Sequence, residues 1–265
     1  MTAAGVYKCC MKPFIKYVLI AFIFFSCNIK SDNKGSAGPT ISTEVIDTIK
    51  TRPANLDAKP VLFEAAFIKG TTQRVKTLLI NYYGITIGKI KIVSGHIIIC
   101  DPLHIDEYGI PFTQLFPTGE FPVQLAIAKL GEEESIAFAR INFSNEPVER
   151  WEFALQPGQA PLPVGGKEKH GYAVDFGIAI FMDEDGKRIP DINGLTETDA
   201  ALYKNMGKHY HNRWKYTMYD FGKYNLAAFT TGFGDGHYAT YIGFDAQGKP
   251  CRLLTDFNLF DAGRY

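Results

Sequence analysis

The chain has 265 residues, with 28 Lys and Arg against 28 Asp and Glu, so its formal net charge at pH 7 is zero. A neutral chain offers no basic field that would attract nucleic acid, and we expect no nucleic-acid partner. Only two of its five cysteines, Cys100 and Cys251, lie beyond residue 30, which excludes a disulfide framework. Both lie in apolar segments with the pattern of a strand, so we expect two buried thiols. A bridge between them stays the alternative, because it depends on the Cα separation.

The N-terminus has the pattern of a bacterial lipoprotein signal peptide. Three lysines precede an apolar run at residues 17–25, and Ser26 comes directly before Cys27. Such a run is too short to cross roughly 30 Å of hydrocarbon, so a cleaved signal is favoured over a retained transmembrane helix. We expect cleavage before Cys27 and lipidation of its thiol, which would anchor the protein to the membrane of the cell envelope.

Composition divides the chain into three parts. Residues 28–59 are polar and cannot bury enough apolar surface to offset the entropy lost on ordering. We therefore predict a signal peptide at 1–26, a lipidated cysteine and flexible tether at 27–59, and a single globular domain at 60–265. Met11 could begin an ordinary signal peptide as well as Met1 could, so both starts stay open.

Short strands bounded by turn residues dominate the globular part. Ser94-Gly95 is predicted to turn a hairpin between strands at 85–93 and 96–100, and a second hairpin joins 121–130 to 135–143. The remaining predicted strands are 148–155, 172–181, 226–231, 237–245 and 251–257, of which the last two form a hairpin.

A capping box at Thr196 to Asp199 predicts a helix at 197–208, and a weaker pattern indicates a helix at 60–68. The sequence therefore predicts a mainly β (α+β) domain. We expect antiparallel sheets arranged as a sandwich or a partly open barrel, with one or two helices.

Several sequence blocks occur in a fixed order along this domain. They lie at residues 94–103, 117–123, 136–140, 151–152, 172–183, 232–238 and 254–257. Together they resemble a bacterial family known only as domain of unknown function 4241, over roughly residues 85–259. Because no activity is established for that family, the resemblance implies no catalytic residues.

Acids and a histidine near predicted strand ends are the candidates for chemistry. As catalytic groups we consider Asp175, Asp235, His237 and Asp256, and as ligands of a divalent metal Asp175, Asp183, Asp235 and His237. Asp101 belongs to the same set. The competing interpretation is that these aspartates fix turns by local hydrogen bonds.

Two other polar patterns favour structural roles. The alternating glycines Gly232, Gly234 and Gly236 lead into a β-rich run rather than a helix, so we interpret them as tight backbone packing or a bulge instead of a phosphate loop. His209 and His211 are predicted to be exposed at a helix end or loop.

Two functions are compatible with the sequence. The first is a non-catalytic binding or interaction domain displayed on the envelope, with Trp151, Trp214, Tyr210 and Tyr219 as contact residues unless those rings fill the core. The alternative is a metal-assisted hydrolase that uses carboxylates and His237. No cofactor is predicted for the first function, whereas the second requires a divalent metal.

Overall fold

The computed structural model describes residues 60–189 and 201–259. The strands are β1 (Thr71–Val75), β2 (Leu78–Ile92), β3 (Ile97–Cys100), β4 (Gly119–Leu130), β5 (Glu133–Asn142), β6 (Arg150–Phe153), β7 (Tyr172–Val174), β8 (Ile178–Asp183), β9 (Tyr210–His211), β10 (Trp214–Phe221), β11 (Tyr224–Thr230), β12 (Gly236–Phe244) and β13 (Pro250–Asp256). The helices are α1 (Leu62–Ala65), α2 (Ile105–Tyr108) and α3 (Ala201–Gly207), and two 3-10 turns span Pro102–His104 and Glu184–Arg188.

The strands form two antiparallel sheets. The larger has the order β1-β2-β4-β5-β13-β12-β6, with β7 also paired to β12, and the smaller has the order β3-β8-β11-β10-β9. One sheet curls into a half-barrel. The predicted mainly β class with antiparallel sheets is therefore confirmed.

Three apolar clusters hold the layers together. The main core lies between the sheets and combines residues such as Leu125 and Leu253 from the larger sheet with Phe181 and Phe229 from the smaller. The outer face of the larger sheet is covered by α1, whose Phe63 packs edge-on against Trp151 with 5.1 Å between ring centroids. Residues of α2 and α3 cover the outer face of the smaller sheet. Both sheets are thus buried on two sides, which explains strands with consecutive apolar residues.

The predicted hairpin at Ser94-Gly95 is wrong. Strand β2 belongs to the larger sheet and β3 to the smaller, so this turn carries the chain from one sheet to the other. The Asp183 carboxylate fixes the crossing by accepting hydrogen bonds from the backbone N–H groups of Val93 and Ser94 at 2.7 and 2.9 Å. It also accepts from the Ser94 hydroxyl at 3.0 Å. A sheet crossing and a tight hairpin use the same turn residues, which explains the error.

The predicted strand at 172–181 is two strands in different sheets. Strand β7 pairs with β12 in the larger sheet, whereas β8 pairs with β3 and β11 in the smaller sheet. The chain crosses at residues 175–177, where Gly177 has a φ of +63°. A left-handed residue of this kind suits glycine and interrupts the strand.

The other local predictions mostly agree with the structure. Hairpins β4–β5 and β12–β13 form as expected. The turn between β4 and β5 is tighter than predicted, because Leu130 pairs with Glu133 and β5 begins two residues earlier than expected. Helices α1 and α3 lie within the predicted ranges, but the proposed cap at Thr196 lies outside the described residues. Cys100 and Cys251 are both buried free thiols. His211 is exposed as predicted, but it lies in β9 rather than in a loop.

A glycine substitution tests the packing of the N-terminal segment on β2. A Cβ at Gly84 would collide with the backbone carbonyl oxygen of Phe67, so Gly84→Ala must displace the segment after α1. We expect a loss of about 1 to 3 kcal/mol in the free energy of unfolding, measured by chemical denaturation. Gly207→Ala is the matched control, because a Cβ there meets no atom within 4 Å, and we expect no loss. Equal stability of the two variants would contradict the packing.

Candidate functional site

The buried carboxylate of Asp101 organises one end of the domain. It lies directly after β3, is 0% exposed and accepts three backbone hydrogen bonds. One oxygen accepts from the N–H of Leu103 at 2.8 Å, and the other accepts from Asp175 at 2.9 Å and Phe176 at 3.0 Å. Asp101 therefore ties the end of β3 to the crossing between β7 and β8, which is the turn-fixing role that its sequence context allowed.

Another crossing between the sheets lies beside the one at residues 175–177. The loop at residues 231–235 carries the chain from β11 back to β12, and the N–H of Thr231 donates to the carbonyl oxygen of Gly177 at 3.0 Å. A Cβ on Gly177 would lie 3.3 Å from the Cα of Gly234 and 3.9 Å from Oδ1 of Asp235. A small residue is therefore required at Gly177. Among the predicted glycines, Gly232 and Gly236 would also bring a Cβ close to neighbouring atoms, whereas Gly234 has open space and is required for its φ of +116°.

Hydroxyl groups hold the second loop in a fixed shape. The side chains of Thr231 and Tyr238 both donate to the carbonyl oxygen of Gly234, at 2.7 and 2.6 Å. Thr231 and Tyr238 are themselves buried. The loop is therefore anchored from below while its outer residues face solvent, which is a common arrangement for a binding loop on a rigid scaffold.

The two loops together present a surface that we call the phenylalanine face, defined as Asp175, Phe176, Phe233 and Asp235. Phe176 is 43% exposed and Phe233 is 72% exposed. In the ladder of β7 and β12, Val174 pairs with Gly236, so Asp175 and Asp235 occupy the next opposing positions. The two loops that carry these aspartates and phenylalanines, distant in sequence, therefore lie side by side at one sheet end.

His104 extends this surface and was not among the predicted residues. Its Nε2 lies 3.6 Å from Oδ2 of Asp175, and its Nδ1 lies 3.9 Å from Oε2 of Glu107. The Asp101-Pro102 step starts the short turn that positions His104. Nothing in the local sequence distinguishes this histidine, because its acidic partner Asp175 comes from another part of the chain.

Tyr203 of α3 supports the face from the side. Its ring packs edge-on against Phe176 with 5.6 Å between ring centroids. Burial raises the pKa of Tyr203 to about 12, and the negative charge of Asp101 acts in the same direction. The phenol is therefore neutral at physiological pH.

The remaining predicted site residues are placed apart from one another. Asp183 is buried at the opposite end of β8 from the Asp175 crossing and is occupied by four hydrogen bonds. Asp256 ends β13, where its Oδ1 accepts from the N–H of Asn258 at 2.8 Å. His237 is exposed on β12 at the ladder position opposite Ala173. Of the four metal-ligand candidates, Asp175 and Asp235 lie on adjoining loops at one sheet end, and His237 lies two residues along β12 from Asp235 at the same end. Asp183 lies elsewhere.

Groups for metal or nucleophile chemistry are sparse. Within residues 60–189 and 201–259, no three His, Cys, Asp or Glu side chains are grouped so that they could hold a metal ion. Burial raises the pKa of both thiols, that of Cys251 to about 11 and that of Cys100 further. A thiol with a raised pKa is a poor nucleophile at neutral pH.

A shallow cleft opens elsewhere, beside Tyr172. It encloses about 240 Å³ of empty space, part of which is open solvent, whereas ligand pockets usually measure about 300–1,000 Å³. Its lining is mostly apolar and comprises Ile99, Phe112, Ala154, Gln156, Gln159, Gly171, Tyr172 and Thr240. The cleft is therefore smaller than the pockets that usually hold a drug-sized ligand.

Comparison with protein families gives a match over residues 90–255 to the family described as "Protein of unknown function (DUF4241)". The chain belongs to this family. The matched region contains Asp101, His104 and the whole phenylalanine face, so the surface lies in the family domain. Comparisons with curated proteins and with solved structures gave no significant match. In the part of the chain that the structure describes, no helix has the length and apolarity needed to span a membrane.

Paired substitutions separate the structural aspartate from the exposed one. Asp101→Asn replaces one acceptor oxygen by an N–H₂ group among backbone donors, and we expect a loss of about 2 to 3 kcal/mol in the free energy of unfolding. Asp235→Asn changes an exposed side chain, and we expect a change below about 0.5 kcal/mol. Thermal or chemical melts of both variants measure the difference. A large loss for Asp235→Asn would show that this carboxylate is structural.

Proposed function

We propose that the protein is a lipid-anchored cell-envelope protein whose globular domain is a non-catalytic binding module. The observation that carries the binding role is the exposure of two phenylalanines on adjoining, internally braced loops. Burying a phenylalanine against a partner contributes about 1.5–3 kcal/mol per side chain. Aromatic residues of this kind are enriched in the contact regions of protein interfaces.

The aromatic residues first considered for contact are mostly placed elsewhere. Trp151 and Trp214 are 2% and 3% exposed and fill the core, so they are unsuited to direct contact. Tyr210 is 62% exposed on β9, a two-residue edge strand, and Tyr219 is half-buried. We therefore assign the contact role to Phe176 and Phe233, which share one braced surface.

The alternative function, a metal-assisted hydrolase, has weaker support. It would use Asp175 and Asp235 with a histidine, either His104 or the predicted His237. His104 and Asp175 form a surface ion pair when the imidazole is protonated, but solvent-exposed pairs of this kind are common and contribute little. An open surface also lacks the water exclusion that strengthens catalytic electrostatics.

The lipid anchor depends on one thiol. We expect Cys27→Ser to abolish incorporation of labelled fatty acid, because no acyl chain can then be attached. Cys10→Ser is the matched control and should retain the label, since this cysteine precedes the predicted cleavage site. Label on the Cys27→Ser protein, or none on the parent protein, would contradict lipidation.

The contact role can be tested by site-specific photo-crosslinking in cells. A photoreactive phenylalanine analogue at position 233 or 176 should give a discrete adduct, because both side chains would lie at the interface. The control position is Ile68, which is similarly exposed at 63% but lies outside the phenylalanine face, and it should give none. The binding role fails if neither face position crosslinks, or if Ile68 yields the same adduct.

A further inference from the structure

The phenylalanine face combines apolar rings with negative charge. Asp175 is 65% exposed at its side chain, and Asp235 is exposed at the neighbouring loop. Asp106 and Glu107 of α2 are also exposed, and Glu107 lies within reach of His104. A partner for this surface must therefore satisfy carboxylates as well as cover aromatic rings.

Two basic side chains described beside the face contact α2 or Asp175. The Nζ of Lys187 donates to the backbone carbonyl oxygens of Asp106 and Gly109 at 3.2 and 3.1 Å. His104 faces both Asp175 and Glu107. Beneath the surface, the negative charge of Asp101 acts on Tyr203, the residue that packs against Phe176. Four exposed acids, Asp106, Glu107, Asp175 and Asp235, thus lie at or beside the face, although the chain as a whole is neutral.

Rings and carboxylates together recognise cations better than either group alone. A guanidinium or ammonium group is attracted to the face of an aromatic ring, and a neighbouring carboxylate adds a charge-assisted hydrogen bond. Rings without acids would fit an apolar partner. Arginine suits such a surface especially well, because its planar group stacks on rings while its N–H groups reach carboxylates.

The geometry points to a segment of a partner protein that inserts an arginine or lysine side chain between Phe176 and Phe233, with Asp175 and Asp235 as its acceptors. This inference rests on the proposed binding function and specifies its partner. The surface is open rather than concave, so a small free cation would keep most of its surface in water. A protein segment adds backbone and apolar contacts that an isolated amine lacks, and an anionic membrane is repelled by the same acids.

The test uses the full-length protein in a non-ionic detergent and a short, capped, fluorescein-labelled peptide of alternating arginine and glycine. Fluorescence anisotropy measures the Kd at low and at physiological salt. We expect the arginine peptide to bind, with weaker binding at higher salt. Peptides with citrulline or glutamate in place of arginine should not bind, because citrulline keeps the shape of arginine without its charge.

Variants locate the binding on the face. We expect Asp175→Asn combined with Asp235→Asn to weaken binding about tenfold, and Phe176→Ala combined with Phe233→Ala to weaken it by a similar factor. The matched controls are Glu132→Gln, an acid that is 99% exposed, and Ile68→Ala, an exposed apolar residue. Both should leave the Kd unchanged, and a thermal melt of each variant shows that it is folded.

Each other result overturns the inference in a recognisable way. If the citrulline peptide bound as tightly as the arginine peptide, the positive charge of arginine would not be recognised. If Glu132→Gln weakened binding as much as the aspartate substitutions, the peptide would be attracted to any surface acid. Binding of capped single arginine as tight as that of the peptide would indicate a small ligand instead of a protein segment. If the peptide does not bind while position 233 still crosslinks in cells, the binding function stands and the cationic partner is wrong. If neither occurs, both proposals fail.

Discussion

The structure depends on two buried aspartates that hold the crossings between its sheets. Strands β3 and β8 are antiparallel neighbours, and each is followed or ended by one of these residues. Asp101, after β3, binds the backbone that enters β8, whereas Asp183, at the end of β8, binds the backbone that enters β3. The arrangement is reciprocal. The aspartate of each strand thereby fixes the point at which the chain leaves the larger sheet to form the neighbouring strand.

Carboxylates suit this task because each crossing leaves several backbone N–H groups without ladder partners. A buried N–H without an acceptor costs roughly as much as a lost hydrogen bond, and a carboxylate can accept several such bonds at once. Hydrogen bonds to an ionised acceptor contribute about 1.5–3 kcal/mol each, which offsets the cost of removing the charge from water. Asp101 and Asp183 each accept three or more such bonds, which supports a structural role for both carboxylates.

Sequence reasoning succeeded where structure is local. Hairpins β4–β5 and β12–β13 form between strands that are adjacent in sequence, and alternating apolar residues with turn residues between them predict both. It failed at Ser94-Gly95 and at residues 175–177, where the chain changes sheets. A turn between strands has the same composition whether the strands pair with each other or not. Only distant contacts, such as Asp183 with Val93, decide between the two outcomes.

The same reason explains how much of the site could be predicted. The sequence identifies Asp175 and Asp235 as acids near strand ends. Close packing explains Gly236 beside Asp235, whereas Gly234 has open space around it and adopts a positive φ. Their convergence could not be predicted, because it depends on the pairing of β7 with β12, and β7 was not recognised as a separate strand. His104 was missed because it acquires its acidic neighbour only through the fold.

The crossings also explain why the exposed residues of the domain lie where they do. A chain that moves between sheets must leave both ladders, so its side chains are released from the alternation that buries every second residue. At residues 175–177 and 231–235 the backbone is tied down by Asp101, Thr231 and Tyr238, and the side chains of Phe176 and Phe233 remain exposed. Because the backbone is already ordered, a partner that covers these rings loses little further loop entropy on binding. The constraint that stabilises the fold therefore also preorganises the phenylalanine face.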